Sequence, residues 1–277
     1  MTNFELIRLR SSVRSYTESD LEPEIIEILE AICMEHVKGP FCSQVRFKII
    51  NFGKNYPQKL HKIGTYGVIR GAKHFIAGII KEGEKTREDL GYCMEKVILE
   101  TTRLGLGTCW LAGTFKRSAF TRQVGLSPNE YLPAISPVGY SADNLSAAAA
   151  IIKFSAGSKK RKLFAELFYQ SDGKTALTEE EAGIFRKPLE AVRIGPSALN
   201  RQPWRIVKDN QGFFNLYIKE SILYKAAASQ LNVQRLDIGI AMCHFELVAR
   251  EEGLDGTWSG IKENPDIPGL KFIARWV

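Results

Sequence analysis

An internal repeat constrains this chain more than any other feature. Residues 90–110 read LGYCMEKVILETTRLGLGTCW, and residues 238–258 read IGIAMCHFELVAREEGLDGTW. At one constant offset Gly91 meets Gly239, Met94 meets Met242, Leu99 meets Leu247, Gly105-Leu106 meets Gly253-Leu254, and Trp110 meets Trp258. Both segments place apolar residues at helical spacing and then a glycine at which a helix stops. Each reads as a long, largely buried helix. Shorter echoes keep the same order along the chain. Phe47-Lys48-Ile49-Ile50 resembles Trp204-Arg205-Ile206-Val207, Leu132-Pro133-Ala134-Ile135 resembles Ile267-Pro268-Gly269-Leu270, and Leu29-Glu30-Ala31 recurs as Leu189-Glu190-Ala191. Each half then runs helix, strand, strand, long helix, strand, which is an α+β arrangement. The expected division is a first half over 1–154, a polar and basic linker over 155–181 and a second half over 182–277. Two such halves packed together would be a pseudo-dimer, equivalent to a fused homodimer whose two copies are free to diverge.

The chain has 277 residues, of which 44% are apolar and 25% charged, enough for two packed halves. Its start, Met1-Thr2-Asn3-Phe4-Glu5, lacks the basic and apolar regions of a secretion signal. The most apolar run, Ala147 to Ile152, is far shorter than a bilayer crossing, so no membrane association is expected. Five cysteines with no C-x-x-C, and four scattered histidines, argue against a disulfide scaffold or a metal site and fit a reducing, cytoplasmic location. The net charge is +7, but the densest basic run, Ser158 to Lys162, is short and no nucleic-acid motif accompanies it. No nucleic-acid partner is expected.

Three segments carry the chemistry. Arg10-Ser11-Ser12-Val13-Arg14-Ser15-Tyr16 follows a short amphipathic helix and gathers two guanidinium groups with several hydroxyls, a donor set suited to phosphate oxygens. Gly195-Pro196-Ser197-Ala198-Leu199-Asn200-Arg201-Gln202-Pro203-Trp204 is expected to lie between a helix (Glu179 to Arg193) and a strand. Its prolines and glycine fix a loop, and Asn200 and Gln202 offer amide donors and acceptors of the mixture a flavin pyrimidine edge requires. Leu104 to Thr114 closes the first long helix with Gly105 and Gly107, where the backbone can approach a planar ligand closely. These glycines follow a helix, whereas a dinucleotide-binding fingerprint follows a strand and opens a helix, so a Rossmann fold is excluded.

Together these segments resemble the FMN-dependent nitroreductase superfamily, in its internally duplicated single-chain branch. The resemblance runs over nearly the whole chain, and the loop from Gly195 is its most specific part. It implies mainly antiparallel sheets with long core helices. It also implies that Arg10 and Ser12, helped by Ser11, hold the FMN phosphate, and that Arg14 lies near the pyrimidine. Pro196, Ser197, Ala198, Leu199, Asn200 and Gln202 would bind the ribityl chain and ring edge, and Ala112 and Gly113 would approach N5 through their backbone. Lys160 and Lys162 fall where family members often place basic phosphate contacts, and Gly64-Thr65-Tyr66-Gly67 is expected to line the site. In the family all these motifs occur in each subunit; here they are divided. The first half has the arginine-serine motif, but its Gly39-Pro40-Phe41-Cys42-Ser43-Gln44 lacks the amides. The second half has the amide loop, but only Arg186-Lys187-Pro188 stands where the arginines would be. One composite flavin site per chain is the expectation.

The activity implied is ping-pong hydride transfer from NADH or NADPH, through FMN, to a small electron-poor acceptor such as a nitroaromatic or quinone, with no side-chain nucleophile. Cys109 reads as a packing residue. The alternatives are a flavin enzyme of the same fold with other chemistry (dehalogenation, flavin fragmentation, dehydrogenation) or a non-catalytic flavin-binding redox protein. A basic interaction protein without flavin is a third. The oligomeric expectation is a monomer with pseudo-dimer symmetry or a further homo-oligomer.

Overall fold

A computed structural model describes residues 1–53, 69–113, 115–142, 161–219, 233–260 and 266–277. Two long helices form its centre, α3 (Thr86–Arg103) and α7 (Val233–Glu251). They are the two repeated segments, and they cross at the repeated glycines. A Cβ built on Gly239 would lie 2.8 Å from the Gly91 Cα and 2.6 Å from the Tyr92 nitrogen. One built on Gly91 would collide with the Leu236 carbonyl in return. Each helix touches the other with the same residue, as subunits do across a two-fold axis. Both helices also stop in the same way. Leu106 N donates to Thr101 O and Gly105 N to Thr102 O, while Leu254 N donates to Ala249 O and Gly253 N to Arg250 O. Gly105 and Gly253 have φ of +77° and +74°, the left-handed cap that glycine adopts without strain.

Each helix is flanked by a sheet of its own half. The first contains β1 (Val45–Asn51), β2 (His74–Lys81), β3 (Gly107–Thr108) and β4 (Glu130–Gly139), in the order β1-β2-β4-β3 and antiparallel throughout. The second contains β5 (Phe168–Tyr169), β6 (Trp204–Lys208), β7 (Phe214–Ile218), β8 (Trp258–Ser259) and β9 (Lys271–Trp276), in the order β5-β6-β7-β9-β8. Apart from β5 the two orders are the same, and each sheet has a register shift in the corresponding strand pair, β2–β4 and β7–β9. The α+β expectation with mainly antiparallel sheets holds; the pairing of β5 with β6 is parallel.

The remaining helices are α1 (Asn3–Leu9), α2 (Pro23–Glu35), α4 (Arg117–Val124), α5 (Glu179–Ala182) and α6 (Arg186–Ile194). One expectation needs correction. The segment expected as a helix from Glu179 to Arg193 is two helices joined by a 3-10 turn, because Gly183 takes φ +56° between them. The described part of the expected linker, residues 161–181, packs against the second sheet through β5, which pairs with β6. Leu167, Phe168 and Leu177 are buried, and Leu167 O accepts from Ile206 N. A polar average composition hid these core residues. No helix among the described residues is long and apolar enough to cross a membrane.

Candidate functional site

The arginine-serine segment begins where α1 ends. Thr2 and Glu5 form a capping box at one end of α1, and Leu6 and Ile7 bury its inner face. Arg10 is the C-cap, and its side chain turns inward to 6% exposure. The chain then runs as an extended segment along the first sheet. Val13 N donates to Thr108 O, Arg14 O accepts from Arg70 N, and Ser12 pairs with Thr108 as an isolated bridge. This leaves the side chains of Ser11, Ser12 and Arg14 exposed, and it brings the arginine-serine segment beside the glycine stretch of Gly107 to Trp110.

The second half brings its loop to the same place. Arg161 donates to the Asn200 side chain. Its guanidinium is depressed from 12.5 to about 10 by burial and by the neighbouring charges of Arg10 and Arg193. Arg193 is compensated by Glu190, with Nη2–Oε1 at 2.6 Å. Arg161 has no carboxylate partner among the described residues. The Arg10 Nε is buried and has no hydrogen-bond partner, its nearest carboxylate being Glu95 at 3.9 Å. Arg161, without a carboxylate partner, bonds the loop that carries Asn200, and Arg10, with its orphaned Nε, is a neighbouring charge to it.

That loop is held under tension. Leu199, Asn200 and Gln202 all have positive φ (+50°, +55° and +48°), a region that costs energy for side-chain-bearing residues. Asp237 on α7 accepts from Ala198 N at 3.0 Å, and Ser197 Oγ accepts from Gln202 N at 2.9 Å. Asp237 is the repeat counterpart of Asp89, which accepts from Phe41 N at 2.9 Å and Ser43 N at 2.8 Å in the corresponding loop of the first half. Asp89 uses both oxygens. Asp237 uses one, its other oxygen is buried without a partner, and burial raises its carboxyl from 3.8 to about 8.

The amide of Gln202, expected at the ring edge, is engaged within the protein. It is fully buried; its Oε1 accepts from Lys162 N at 2.8 Å and its Nε2 donates to Arg193 O at 2.8 Å. It ties the loop to the chain that carries Arg161. Lys162 likewise engages through its backbone, while its side chain shares the field of Arg205, Lys219 and Arg201. Pro196, Ser197 and Ala198 are half-buried, and Leu199 and Asn200 are exposed. Lys160 and Gly64-Thr65-Tyr66-Gly67 lie outside the described residues.

Beneath these segments lies a polar hub that motif reading missed. Glu95 on α3 is fully buried. One oxygen accepts from Trp110 Nε1 at 2.6 Å, and the other lies 2.8 Å from His244 Nε2 on α7. His244 Nδ1 lies 3.0 Å from Ala191 O, at the helix that leads into Gly195. Arg10, Trp110 and, through His244, the helix that leads into the amide loop are therefore linked at Glu95. In the sequence Glu95 and His244 are a charged and a polar residue inside buried helical stretches, and that anomaly was the available signal.

The chain matches the family described as "Putative TM nitroreductase" over residues 2–249. It belongs to that nitroreductase family. A solved "putative nitroreductase" from Thermotoga maritima MSB8 is similar over 100% of this chain and 93% of its own, at 21% identity and TM-score 0.64. A nitroreductase family protein from Clostridium difficile 630 covers 60% of this chain and 96% of its own, at 20% identity and TM-score 0.47. A "putative nitroreductase in complex with FMN" from Desulfovibrio desulfuricans covers 52% and 88%, at 25% identity and TM-score 0.42. None of the curated proteins matches the sequence.

In this family member Ala112 is half-buried and Gly113 exposed. Arg117 Nη2 donates to Ala112 O at 2.8 Å, and a Cβ on Gly113 would meet nothing within 4 Å. The segment is anchored by its carbonyl and open on its outer side. Cys109 is buried, and burial raises its thiol against the lowering effect of Arg14, Ser12 and Arg10. It packs, as its sequence context suggests. A groove of about 860 Å³ lies elsewhere, between α2 and β1, lined by residues such as Met34, Phe47 and Lys48. None of the expected site residues lines it. The convergence of cations, amide loop and glycine stretch, not this groove, marks the candidate site.

Proposed function

We propose that this chain is a flavin oxidoreductase that binds one FMN in a composite site. Hydride would pass from NADH or NADPH to a small electron-poor acceptor of the nitroaromatic or quinone type. The observation that carries the reading is the meeting of Arg10 and Arg161 at the loop bearing Asn200. Two neighbouring guanidinium groups, one with an orphaned Nε and the other without a carboxylate partner among the described residues, suit a phosphate dianion, so the residues present fit the cofactor. Membership of the nitroreductase family supports the same choice.

In this reading Arg10 and Arg161 hold the phosphate, with the Ser11 and Ser12 hydroxyls beside them. Arg14 is exposed next to this segment and places a cation toward the pyrimidine end, where charge accumulates on reduction. The Asn200 amide meets the ring edge or ribityl chain, and Pro196, Ser197, Ala198 and Leu199 shape the loop around it. Ala112 and Gly113 approach the ring by their backbone. When bound, FMN supplies the hydride chemistry, and the protein supplies binding, orientation and electrostatics. The division into halves at 1–154 and 182–277 belongs to this proposal, as does descent from a fused dimer that kept one of two sites.

Purification with added FMN, removal of free ligand and a visible spectrum test the reading. About one flavin per chain is expected, followed by turnover of a quinone with NADH or NADPH. A chain that retains no flavin overturns it. Bound flavin without turnover overturns the reductase assignment alone.

A further inference from the structure

Glu95 and His244 stand on the two central helices, both fully buried, with Oε1 and Nε2 2.8 Å apart. The other ring nitrogen, Nδ1, is 3.0 Å from the Ala191 carbonyl. A carbonyl oxygen can only accept, so Nδ1 carries a proton and donates it. The Nε2 contact then needs a proton of its own. Without one, a bare ring nitrogen and an ionised carboxylate would be two acceptors face to face. The pair therefore holds that proton on one partner or the other, and its net charge is zero either way.

This bears on Arg10. A bare Glu95 carboxylate 3.9 Å from the Arg10 Nε, in an enclosed site, would largely neutralise it. With Glu95 cancelled by the shared proton and Arg193 cancelled by Glu190, Arg10 and Arg161 keep a surplus of two positive charges. That surplus matches a phosphate dianion. The device also breaks the symmetry of the repeat. The positions related to Glu95 and His244 are Cys243 and Lys96. Cys243 is buried, and the Lys96 ammonium lies over the Tyr92 ring at 4.7 Å. The pair occurs only on the side where Arg10 enters.

We infer that His244 is a positioning residue for the cation site: by cancelling Glu95 it keeps Arg10 available to the phosphate of the cofactor. The inference rests on the flavin reading above and concerns how that site discriminates phosphorylated from unphosphorylated flavin.

The test compares affinities for FMN and riboflavin in the parent chain, in His244→Gln and in His244→Gln combined with Glu95→Gln. The parent is expected to prefer FMN. His244→Gln exposes Arg10 to an ionised Glu95, so that preference falls by about tenfold or more while riboflavin affinity is unchanged. Glu95→Gln in the same chain removes the competing charge and restores it. An unchanged preference in His244→Gln, or no recovery in the double variant, overturns the inference and leaves the flavin reading intact. A parent that binds neither flavin overturns both. Nitrogen NMR of the parent gives a check that needs no variant to fold. Nδ1 of His244 is expected to be protonated, and an unprotonated Nδ1 overturns the inference.

Discussion

Gly91 and Gly239 lie against each other where the two central helices cross, so close that a Cβ on either would enter the other helix's backbone. These residues occupy the same place in the repeat. The contact is therefore self-complementary, of the kind that joins two subunits about a two-fold axis. It sets the spacing of α3 and α7, and with it the distance between Glu95 and His244 one turn further along.

Gly91→Ala or Gly239→Ala is expected to destabilise the fold by about 3 kcal/mol or more, because the obstacle is backbone and the helices must separate. Gly105→Ala meets open space and suffers only its φ of +77°, a cost of about 1 kcal/mol. Denaturant midpoints of the three variants check the order. Equal losses would mean that the crossing tolerates a methyl group.

Asp237 makes stability depend on pH. Its folded carboxyl value, about 8, is above the unfolded value of 3.8, so the folded state holds its proton more firmly. This contribution is fully present below 3.8 and is lost as pH rises to about 8. Asp237→Asn keeps an acceptor for Ala198 N and removes the titration. Its stability, measured by denaturant unfolding, is expected to exceed the parent's at the alkaline end and to lack this slope. A slope equal to the parent's counts against a buried, protonated Asp237.

Arg161→Ala is expected to weaken FMN binding by about tenfold to a hundredfold and riboflavin binding by much less, since the guanidinium addresses the phosphate directly and the ring end only through its bond to Asn200. Fluorescence titration with both flavins reads this directly. Equal losses for both would place Arg161 at the ring end of the site.

Thiol labelling distinguishes the five cysteines. Cys42 is exposed at a loop, and the other four are buried. Burial pushes the Cys33 and Cys93 thiols up to about 12 and raises Cys109 and Cys243 as well. A native chain is expected to react rapidly at one thiol and an unfolded chain at all five. Rapid reaction at a second site would show that one of the buried helices or strands opens readily.

Part of the candidate site was legible because its residue types are specific. The loop from Gly195 to Trp204 carries residue types that few other contexts demand at that spacing, and Arg161 bonds it at Asn200. Arg161 was not distinguishable from Lys160 and Lys162 in a basic run; its direction depends on the extended backbone that the Lys162–Gln202 bond fixes. Gln202 read as a ligand because its amide suits one, but the fold uses that amide internally. Glu95 and His244 stand 149 residues apart, in different halves, with no local motif to link them.

The sequence alone determined a plan of two long buried helices and the places where they stop. Repeated glycines, helix stops and apolar periodicity are local properties, and each half expresses them without reference to the other. Tertiary structure decided what the plan encloses. The proton shared by Glu95 and His244, the orphaned Nε of Arg10 and the convergence of Arg10, Arg161 and Asn200 arise only once α3 and α7 pack and water is excluded between them. Charge and hydrogen-bond demand in a protein interior depend on which distant groups share the enclosure, and residue order does not specify that.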